Sequence, residues 1–297
     1  MTAYRRWEKW SIKFEINSLP ANSTSVAIFI LNQIQMDRKF SSIHSFYYGL
    51  KYVHKTNNLI DPTLHNLVIS MFEAARRLCK RTVTKKKPIT IQHLQHLRDT
   101  LIDRENLKLG NFRTMVICVL GFCGFLRWSE ASSIKRCDIQ FTNAYMKIFI
   151  EKSKTDVYRD GHWVFISRSN SDLCPVHMLQ DYLHLTDLSD QHSEQYIFRG
   201  ITNFPKAKIQ KLREKNTPIS YTTVSKFFLQ AIEGIGLKKS DFGLHSLRSG
   251  GATAAANAGV PDRLFKRHGR WRSETAKDGY VEDAIDSLLH VSRSLGI

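Results

Sequence analysis

Two cationic residues one helical turn apart open a run of small residues late in the chain. His245 and Arg248 stand in "HSLR", and "SGGATAAANAG" follows directly. Positions three apart share a helix face, so both side chains point the same way. Glycine inside a helix costs about 1 kcal/mol relative to alanine, so Gly250 and Gly251 indicate close approach of another backbone. The stretch predicts a tightly packed helix that presents two polar groups rigidly; the alternative is a core histidine and a surface arginine by coincidence.

A second candidate is the arginine inside the apolar stretch "GFLRWSEASSI". Arg127 lies between Leu126 and Trp128, in a segment that is predicted to form one long buried helix over residues 111–134. A buried guanidinium needs an anionic partner or a ligand. Glu130, three residues on, is able to supply the partner from the same face. The sequence leaves open whether Arg127 holds a ligand or only this internal ion pair.

A third candidate is the lysine of "EKSKTD", at the tip of a predicted hairpin. Tyr145, Lys147 and Phe149 alternate with Met146, Ile148 and Ile150, and "WVFI" fills the return strand. Lys154 then stands at the turn between these strands. A lysine at an exposed turn is by itself typical of a solubilising residue.

The fourth candidate is the tyrosine of "GRWRSETAKDGYVED". Trp271 precedes Tyr280 by nine residues, and nine steps of about 100° would put the two on opposite sides of one helix. If they share a site, the helix must break between them, and Ser273 is suited to cap a new one. An exposed tyrosine alone indicates no special chemistry.

The elements that must position these residues are mainly α-helical, with a small antiparallel β-sheet. Apolar periodicity predicts an all-helical domain over residues 1–81, with Asp61 and Thr63 opening its last helix. Residues 82–87 form a linker, and residues 88–297 form a second domain that begins with a helix capped by Thr90. The polar segment 199–218 is expected to be a loop. The sequence thus predicts two domains.

The linker region is strongly basic. Residues 76–87 contain seven Lys or Arg and no acid, and apolar periodicity is lost at 82–87. The segment is either a solvated tether, or a strap along nucleic-acid phosphates, or a nuclear import signal.

The charge of the whole chain points to a polyanionic partner. Lys and Arg number 44 against 27 Asp and Glu, a net charge of +17. Nucleic acid is favoured over a membrane surface, because no basic amphipathic stretch has a clean apolar face. No apolar run is long enough for a transmembrane helix, and the N-terminus does not read as a secretory signal.

The cysteines and histidines give no pattern of a disulfide framework or a metal site. The five cysteines are odd in number and irregular in spacing, which favours reduced thiols in an intracellular protein. Cys174 and His177 have a metal-like spacing but no second half-site. Neither a metal cluster nor a phosphate-binding glycine loop is predicted, so no cofactor is expected.

Taken in order along the chain, the four candidate segments described above resemble the tyrosine recombinase family, of the phage-integrase type. "GFLRWSEASSI" is similar to the family's first-arginine helix. "EKSKTD" is similar to its hairpin lysine motif, in which Lys154 is a better match than Lys152. "HSLRSGGATAAANAG" is similar to its His-x-x-Arg motif. The resemblance covers residues 88–297, and the last candidate segment resembles enzymes of eukaryotic mobile elements as well as phages. The chain departs from the family's pattern in two respects. It has Trp271 at a position where histidine is more common, with His268 as a possible substitute, and its segment 200–217 is longer than usual.

The resemblance implies a catalytic domain that cleaves and rejoins DNA through a 3′-phosphotyrosine, without metal or ATP. Tyr280 would be the nucleophile, and Lys154 would protonate the leaving 5′-oxygen. Arg127 and Arg248 would clamp the non-bridging oxygens, and Trp271 would donate a hydrogen bond to the phosphate. His245 would either hydrogen-bond a non-bridging oxygen or assist proton transfer at Tyr280. The family resemblance makes the N-terminal helices a core-binding domain.

The expected partner is double-stranded DNA, bound by a homo-tetramer on two sites, with no membrane. The protein would be DNA-associated inside the cell, in the nucleus of a eukaryotic host or the nucleoid of a prokaryotic one. The C-terminal helix either docks on a neighbour or packs on its own subunit. The residues expected to contact DNA outside the catalytic group are Arg76, Arg77, Lys85, Lys86, Lys87 and Arg270.

Two other functions remain open on sequence grounds. A type IB topoisomerase has the same set of phosphate-binding residues and the same nucleophilic tyrosine, although the N-terminal helical domain favours a recombinase. A non-catalytic DNA-binding descendant of a recombinase is disfavoured, because all six catalytic positions are intact.

Overall fold

A computed structural model describes residues 1–79, 85–103, 105–153, 156, 158–207, 209–283 and 285–295. The chain divides into two compact units, Met1–Thr84 and Lys85–Ile297. Each has its own hydrophobic core. No described helix is both long and apolar enough to cross a bilayer.

The N-terminal unit is built from four helices around an aromatic core. Trp7 and Phe46 are buried at its centre, and Trp7 meets Phe29 edge to face, with ring centroids 5.5 Å apart. The expected opening of the last helix is corrected: Asp61 caps a short 3₁₀ turn instead, and α4 begins at Asn66 after His65. The helices are α1 (Thr2–Lys13), α2 (Ser23–Gln35), α3 (Phe40–Thr56) and α4 (Asn66–Leu78).

The C-terminal unit is mainly helical, with two small antiparallel sheets. Thr90 caps its first helix as predicted, accepting a hydrogen bond from the His93 N–H. Its helices are α5 (Ile91–Leu101), α6 (Leu109–Cys123), α7 (Trp128–Ala131), α8 (Pro175–Leu185), α9 (Tyr221–Gly234), α10 (His245–Asn257), α11 (Asp262–Gly269), α12 (Glu274–Asp278) and α13 (Ile285–Arg293). Its strands are β1 (Ile139–Phe141), β2 (Tyr145–Ile150), β3 (His162–Ser167), β4 (Ile201–Phe204) and β5 (Ile209–Leu212).

The three-stranded sheet confirms the predicted hairpin and adds a strand to it. β2 pairs antiparallel with both β1 and β3, and Ile148 lies opposite Val164. Met146, Ile148 and Ile150 are buried, as their alternation predicts. Ile150 and His162 are the last pair at the end of β2 and β3 from which the connection between these strands leaves.

The prediction of one long helix over residues 111–134 is wrong, because the helix ends at Cys123. Gly124 closes α6, and Phe125 takes a left-handed backbone with φ 46°. The Phe125 ring is buried against Phe265 and Trp271. This packing holds a break that local periodicity does not reveal, and it releases Arg127 from the helix.

The prediction of a loop at 199–218 is also wrong, because β4 and β5 form a hairpin there. Ile201 lies opposite Leu212, and both pack against the core. Phe204 and Ile209 at the other end are exposed. Two inward apolar residues give too weak an alternation for a strand to be recognised from the sequence.

The small residues of α10 are explained by close backbone contacts. A Cβ at Gly250 would lie 2.9 Å from the carbonyl carbon of Ile89 and closer still to its oxygen. A Cβ at Gly251 would collide with the carbonyl oxygen of Phe122, near the end of α6. The prediction of close backbone approach is confirmed, and α10 lies fixed against the segment that carries Arg127.

Candidate active site

Arg127 occupies the position immediately before α7. Its backbone N–H donates to Oε2 of Glu130 at 3.0 Å, and its Nη1 donates to Oε1 at 2.5 Å. The Arg127 side chain is 11% exposed, whereas Glu130 is fully buried. The internal ion pair considered from the sequence is therefore present, and the guanidinium still reaches the surface.

Glu130 binds more than one arginine. Its Oε2 accepts a hydrogen bond from Nη2 of Arg270 at 2.8 Å and lies 3.7 Å from Nη1 of Arg248. Three segments that are distant in sequence thus converge on one buried carboxylate. The sequence connected Glu130 with Arg127 alone, since the other two arginines follow it by more than a hundred residues.

The charges of this cluster determine the protonation of its carboxylate. Burial alone would raise the pKa of Glu130, but Arg270, the Arg127 N–H, Arg248 and the Arg127 guanidinium together lower it below its ordinary value. Burial also lowers the pKa of Arg248, and the neighbouring Arg127 adds to that effect. Three guanidiniums around one carboxylate leave an excess of positive charge suited to an anion.

Arg248 is fully buried at the centre of the site. Its Nη1 donates to the carbonyl oxygen of Phe125, and its Nη2 donates to that of Gly269 at 2.5 Å. Its guanidinium carbon lies 4.8 Å from the ring centroids of both Trp271 and Tyr280. Arg248 therefore joins the Arg127 segment to the two aromatic residues.

Trp271 and Tyr280 lie together because the chain breaks between them. α11 ends at Gly269, Arg270 takes a left-handed conformation, and Ser273 caps α12, which confirms the predicted break and cap. The two ring centroids are 5.6 Å apart. Tyr280 follows α12 directly and is only partly buried.

Three buried nitrogens of the site lack a partner within the described part of the chain. They are Nε1 of Trp271 and the Nε atoms of Arg248 and Arg270. A buried donor without an acceptor is unfavourable, so these groups are suited to donate to an anion.

The histidine considered as a substitute for Trp271 faces elsewhere. Nε2 of His268 lies 2.8 Å from the carbonyl oxygen of Cys123, and the ring packs edge to face on Phe125. Burial lowers the pKa of His268, which favours the neutral ring. Trp271, and not His268, stands beside Tyr280.

The two other predicted catalytic residues are His245 and Lys154. His245 is the first residue of α10, one turn before Arg248, and its side chain is exposed. Lys154 lies outside the described residues, between the described Ser153 and Asp156.

The residues expected to contact DNA lie in different environments. Arg76 and Arg77 are exposed in the last turn of α4. Lys85, Lys86 and Lys87 are exposed, and Lys87 pairs with Asp241 at 2.9 Å. Residues 82–84 of the predicted linker lie outside the described part. Arg270, by contrast, is buried, and its Nη2 donates to Oε2 of Glu130.

Comparisons with known proteins agree on one family. The model of the Phage integrase family matches residues 89–285. An integrase/recombinase xerD homolog of Selenomonas ruminantium is 29% identical over 277 residues, which span 92% of this chain and 77% of that protein.

Solved structures share the fold at low sequence identity. The XerH site-specific recombinase bound to palindromic difH substrate has a TM-score of 0.61 at 12% identity, covering 97% of this chain and 75% of that one. A lambda integrase tetramer bound to a Holliday junction has a TM-score of 0.57 at 16% identity, covering 94% and 70%.

Proposed function

Because the chain belongs to the phage integrase family, and is thus a tyrosine recombinase that cleaves and rejoins DNA, we propose that Tyr280 is its nucleophile. The observation that carries this assignment is the position of Arg248, whose guanidinium lies against the rings of both Tyr280 and Trp271. Glu130 links that guanidinium to Arg127. A phosphodiester placed over this group would meet the phenol and the cations together.

The arginines stabilise the charge that develops on the phosphate. As Tyr280 attacks, negative charge spreads over the non-bridging oxygens, which Arg127 and Arg248 are suited to bind. The unpartnered N–H of Trp271 supplies a further donor. Each such donor is worth roughly 3 kcal/mol in the transition state.

The bond exchange conserves the phosphodiester. The Tyr280 oxygen forms a bond to phosphorus, the bond to the 5′-oxygen breaks, and a 3′-phosphotyrosine results. His245 accepts or shares the phenolic proton, and Lys154 donates a proton to the leaving 5′-oxygen. A 5′-hydroxyl of another strand reverses the step, so the phosphodiester bond is restored without an external energy source.

The assembly proposed is a homo-tetramer on two DNA sites, the arrangement in which lambda integrase binds a Holliday junction. Ile285 and Leu288 of α13 are exposed, which favours docking on a neighbour over packing on the same subunit. A largely apolar cleft of about 770 Å³, lined in part by Phe125, Phe165 and Leu264, is large enough to receive apolar side chains of such a helix.

The decisive experiment replaces Tyr280 by phenylalanine. Nicked duplexes drawn from the DNA that flanks the coding sequence are incubated with each protein, and covalent adducts are separated on denaturing gels. We expect the wild type to form an adduct and Tyr280→Phe to form none, because only the attacking oxygen has been removed. DNA affinity, measured by mobility shift, should be retained.

A matched tyrosine controls for nonspecific effects. Tyr221→Phe changes an exposed tyrosine at the start of α9 and should leave the adduct intact. An adduct that persists in Tyr280→Phe would show that another residue is the nucleophile.

A further inference from the structure

Arg270 occupies a backbone position that favours glycine. It follows α11 with φ 56° and ψ 39°, in the left-handed region. Residues with a Cβ are disfavoured there, and glycine usually ends a helix in this way. An arginine at this position therefore carries a steric cost that a glycine would not, and the contacts of its side chain act against that cost.

The Arg270 side chain is bound entirely within the protein. Its Nη2 donates to Oε2 of Glu130 and to the carbonyl oxygen of Phe125, both at 2.8 Å. Its Nη1 donates to the carbonyl oxygen of His268 at 2.7 Å. The side chain is only 3% exposed, and each of its described hydrogen bonds goes to an acceptor within the protein.

The partner of Arg270 also sets the positions of the two phosphate-binding arginines. Glu130 binds Arg127 at 2.5 Å and lies 3.7 Å from Arg248. Arg270 also directly precedes Trp271, whose ring lies beside Tyr280. One side chain therefore connects the carboxylate between the arginines with the turn that carries Trp271.

We propose that Arg270 is a positioning residue for DNA cleavage, which fixes the Glu130 carboxylate and through it the spacing of Arg127 and Arg248. The inference rests on the proposed cleavage by Tyr280. A misplacement of about 1 Å in a catalytic group lowers a rate by about 100-fold. The effect of Arg270 should therefore appear in the chemical step and not in DNA affinity.

The first test compares three variants in single-turnover adduct formation on the nicked duplexes. Arg270→Gln should react about 100-fold more slowly than the wild type, with its dissociation constant for DNA within about twofold. Arg270→Lys should lose about tenfold, since an ammonium keeps the charge but not the planar fork. Arg263→Gln, an exposed change on the preceding helix α11, should keep the wild-type rate.

A double-mutant cycle separates positioning from stability. If Arg270 acts through Glu130, adding Arg270→Gln to Glu130→Gln should change the adduct rate by no more than about threefold. Rates are measured at 10 °C, with circular dichroism confirming that each variant is folded. Should Arg270→Gln fail to fold, Arg270→Gly replaces it, because glycine also relieves the left-handed backbone.

Three results would overturn the assignment. A rise in the dissociation constant equal to the loss of rate would indicate direct DNA contact. If the effects of Arg270→Gln and Glu130→Gln on the adduct rate are additive, Arg270 does not act through Glu130. A wild-type rate for folded Arg270→Gln at 10 °C would leave Arg270 a role in stability alone.

A readout without DNA separates this inference from the proposed function. If the wild type forms no adduct on any duplex, the mechanism through Tyr280 fails, and amide hydrogen exchange of residues 266–283 then decides the role of Arg270. Exchange should accelerate about tenfold or more in Arg270→Gln and stay unchanged in Arg263→Gln. Equal protection in both variants would refute the positioning role.

Discussion

At the residue scale, Trp271 combines two roles that a substitution can separate. Its ring packs against Tyr280 and Arg248, while its indole N–H has no acceptor among the described residues. We expect Trp271→Phe to keep the packing and lose the donor, so adduct formation should slow by about 100-fold, since one such donor is worth roughly 3 kcal/mol in the transition state. Trp271→His retains a donor and should react faster than Trp271→Phe. Equal rates for the two variants would remove the N–H from the mechanism.

Glu130 gives a pH-dependent contribution to stability. Its pKa in the folded protein lies below its ordinary value of 4.5, because the surrounding cations outweigh burial. A depressed carboxyl pKa stabilises the fold above the unfolded value, and this contribution is lost as pH falls through the folded value. Glu130→Gln removes it and leaves three guanidiniums unpaired, at a cost of about 3–5 kcal/mol at pH 7.

Urea unfolding of the wild type and Glu130→Gln at pH 7 and pH 3.5 measures this effect. The gap in unfolding free energy should narrow at the lower pH, because the unfolded wild type then takes up a proton at Glu130 more readily than the folded protein does. A gap that is equal at both values would contradict the depressed pKa.

The candidate residues could be named from the sequence, but their contacts could not. The spacing of His245 and Arg248 and the break before Tyr280 follow from local rules of helix geometry. That Arg270 points inwards does not, because its acceptors on Gly124, Phe125 and Glu130 are some 140 residues away. Only the folded chain brings those acceptors to it.

At the scale of elements, α10 depends on its two glycines. A Cβ at Gly250 would collide with the carbonyl of Ile89, the residue whose N–H donates to the carbonyl oxygen of Ser246 in α10. Gly250→Ala should therefore lower the free energy of unfolding by at least about 1–3 kcal/mol, the usual range for overpacking. Gly243→Ala is the control, since a Cβ there meets nothing within 4 Å and should be neutral or slightly stabilising. Denaturant midpoints compare the two, and equal midpoints would contradict the close approach.

The elements that sequence analysis predicted correctly are those whose signals are local. Thr90 and Ser273 cap their helices, and the alternation in β2 faces the core. The break after Cys123 and the hairpin β4–β5 were missed for a common reason. Each is fixed by tertiary contacts, the Phe125 ring in one case and the inward pair Ile201 and Leu212 in the other.

At the scale of the whole molecule, the net charge of +17 is read directly from the sequence and determines how binding responds to salt. Each phosphate neutralised by a Lys or Arg lowers the slope of log affinity against log salt by about 0.9. We expect a steep negative slope for the wild type. Lys85→Gln, which removes an exposed lysine at the start of the C-terminal unit, should make it shallower by about one.

Lys135→Gln is the matched control, because Lys135 pairs with Glu194 at 3.3 Å and no DNA contact is proposed for it. Fluorescence anisotropy with a labelled duplex at several salt concentrations gives both slopes. An affinity that stays flat from low to moderate salt would contradict phosphate binding altogether. Equal slopes for the two variants would remove only Lys85 from the DNA contact, because the remaining basic residues would still account for the steep dependence of the wild type.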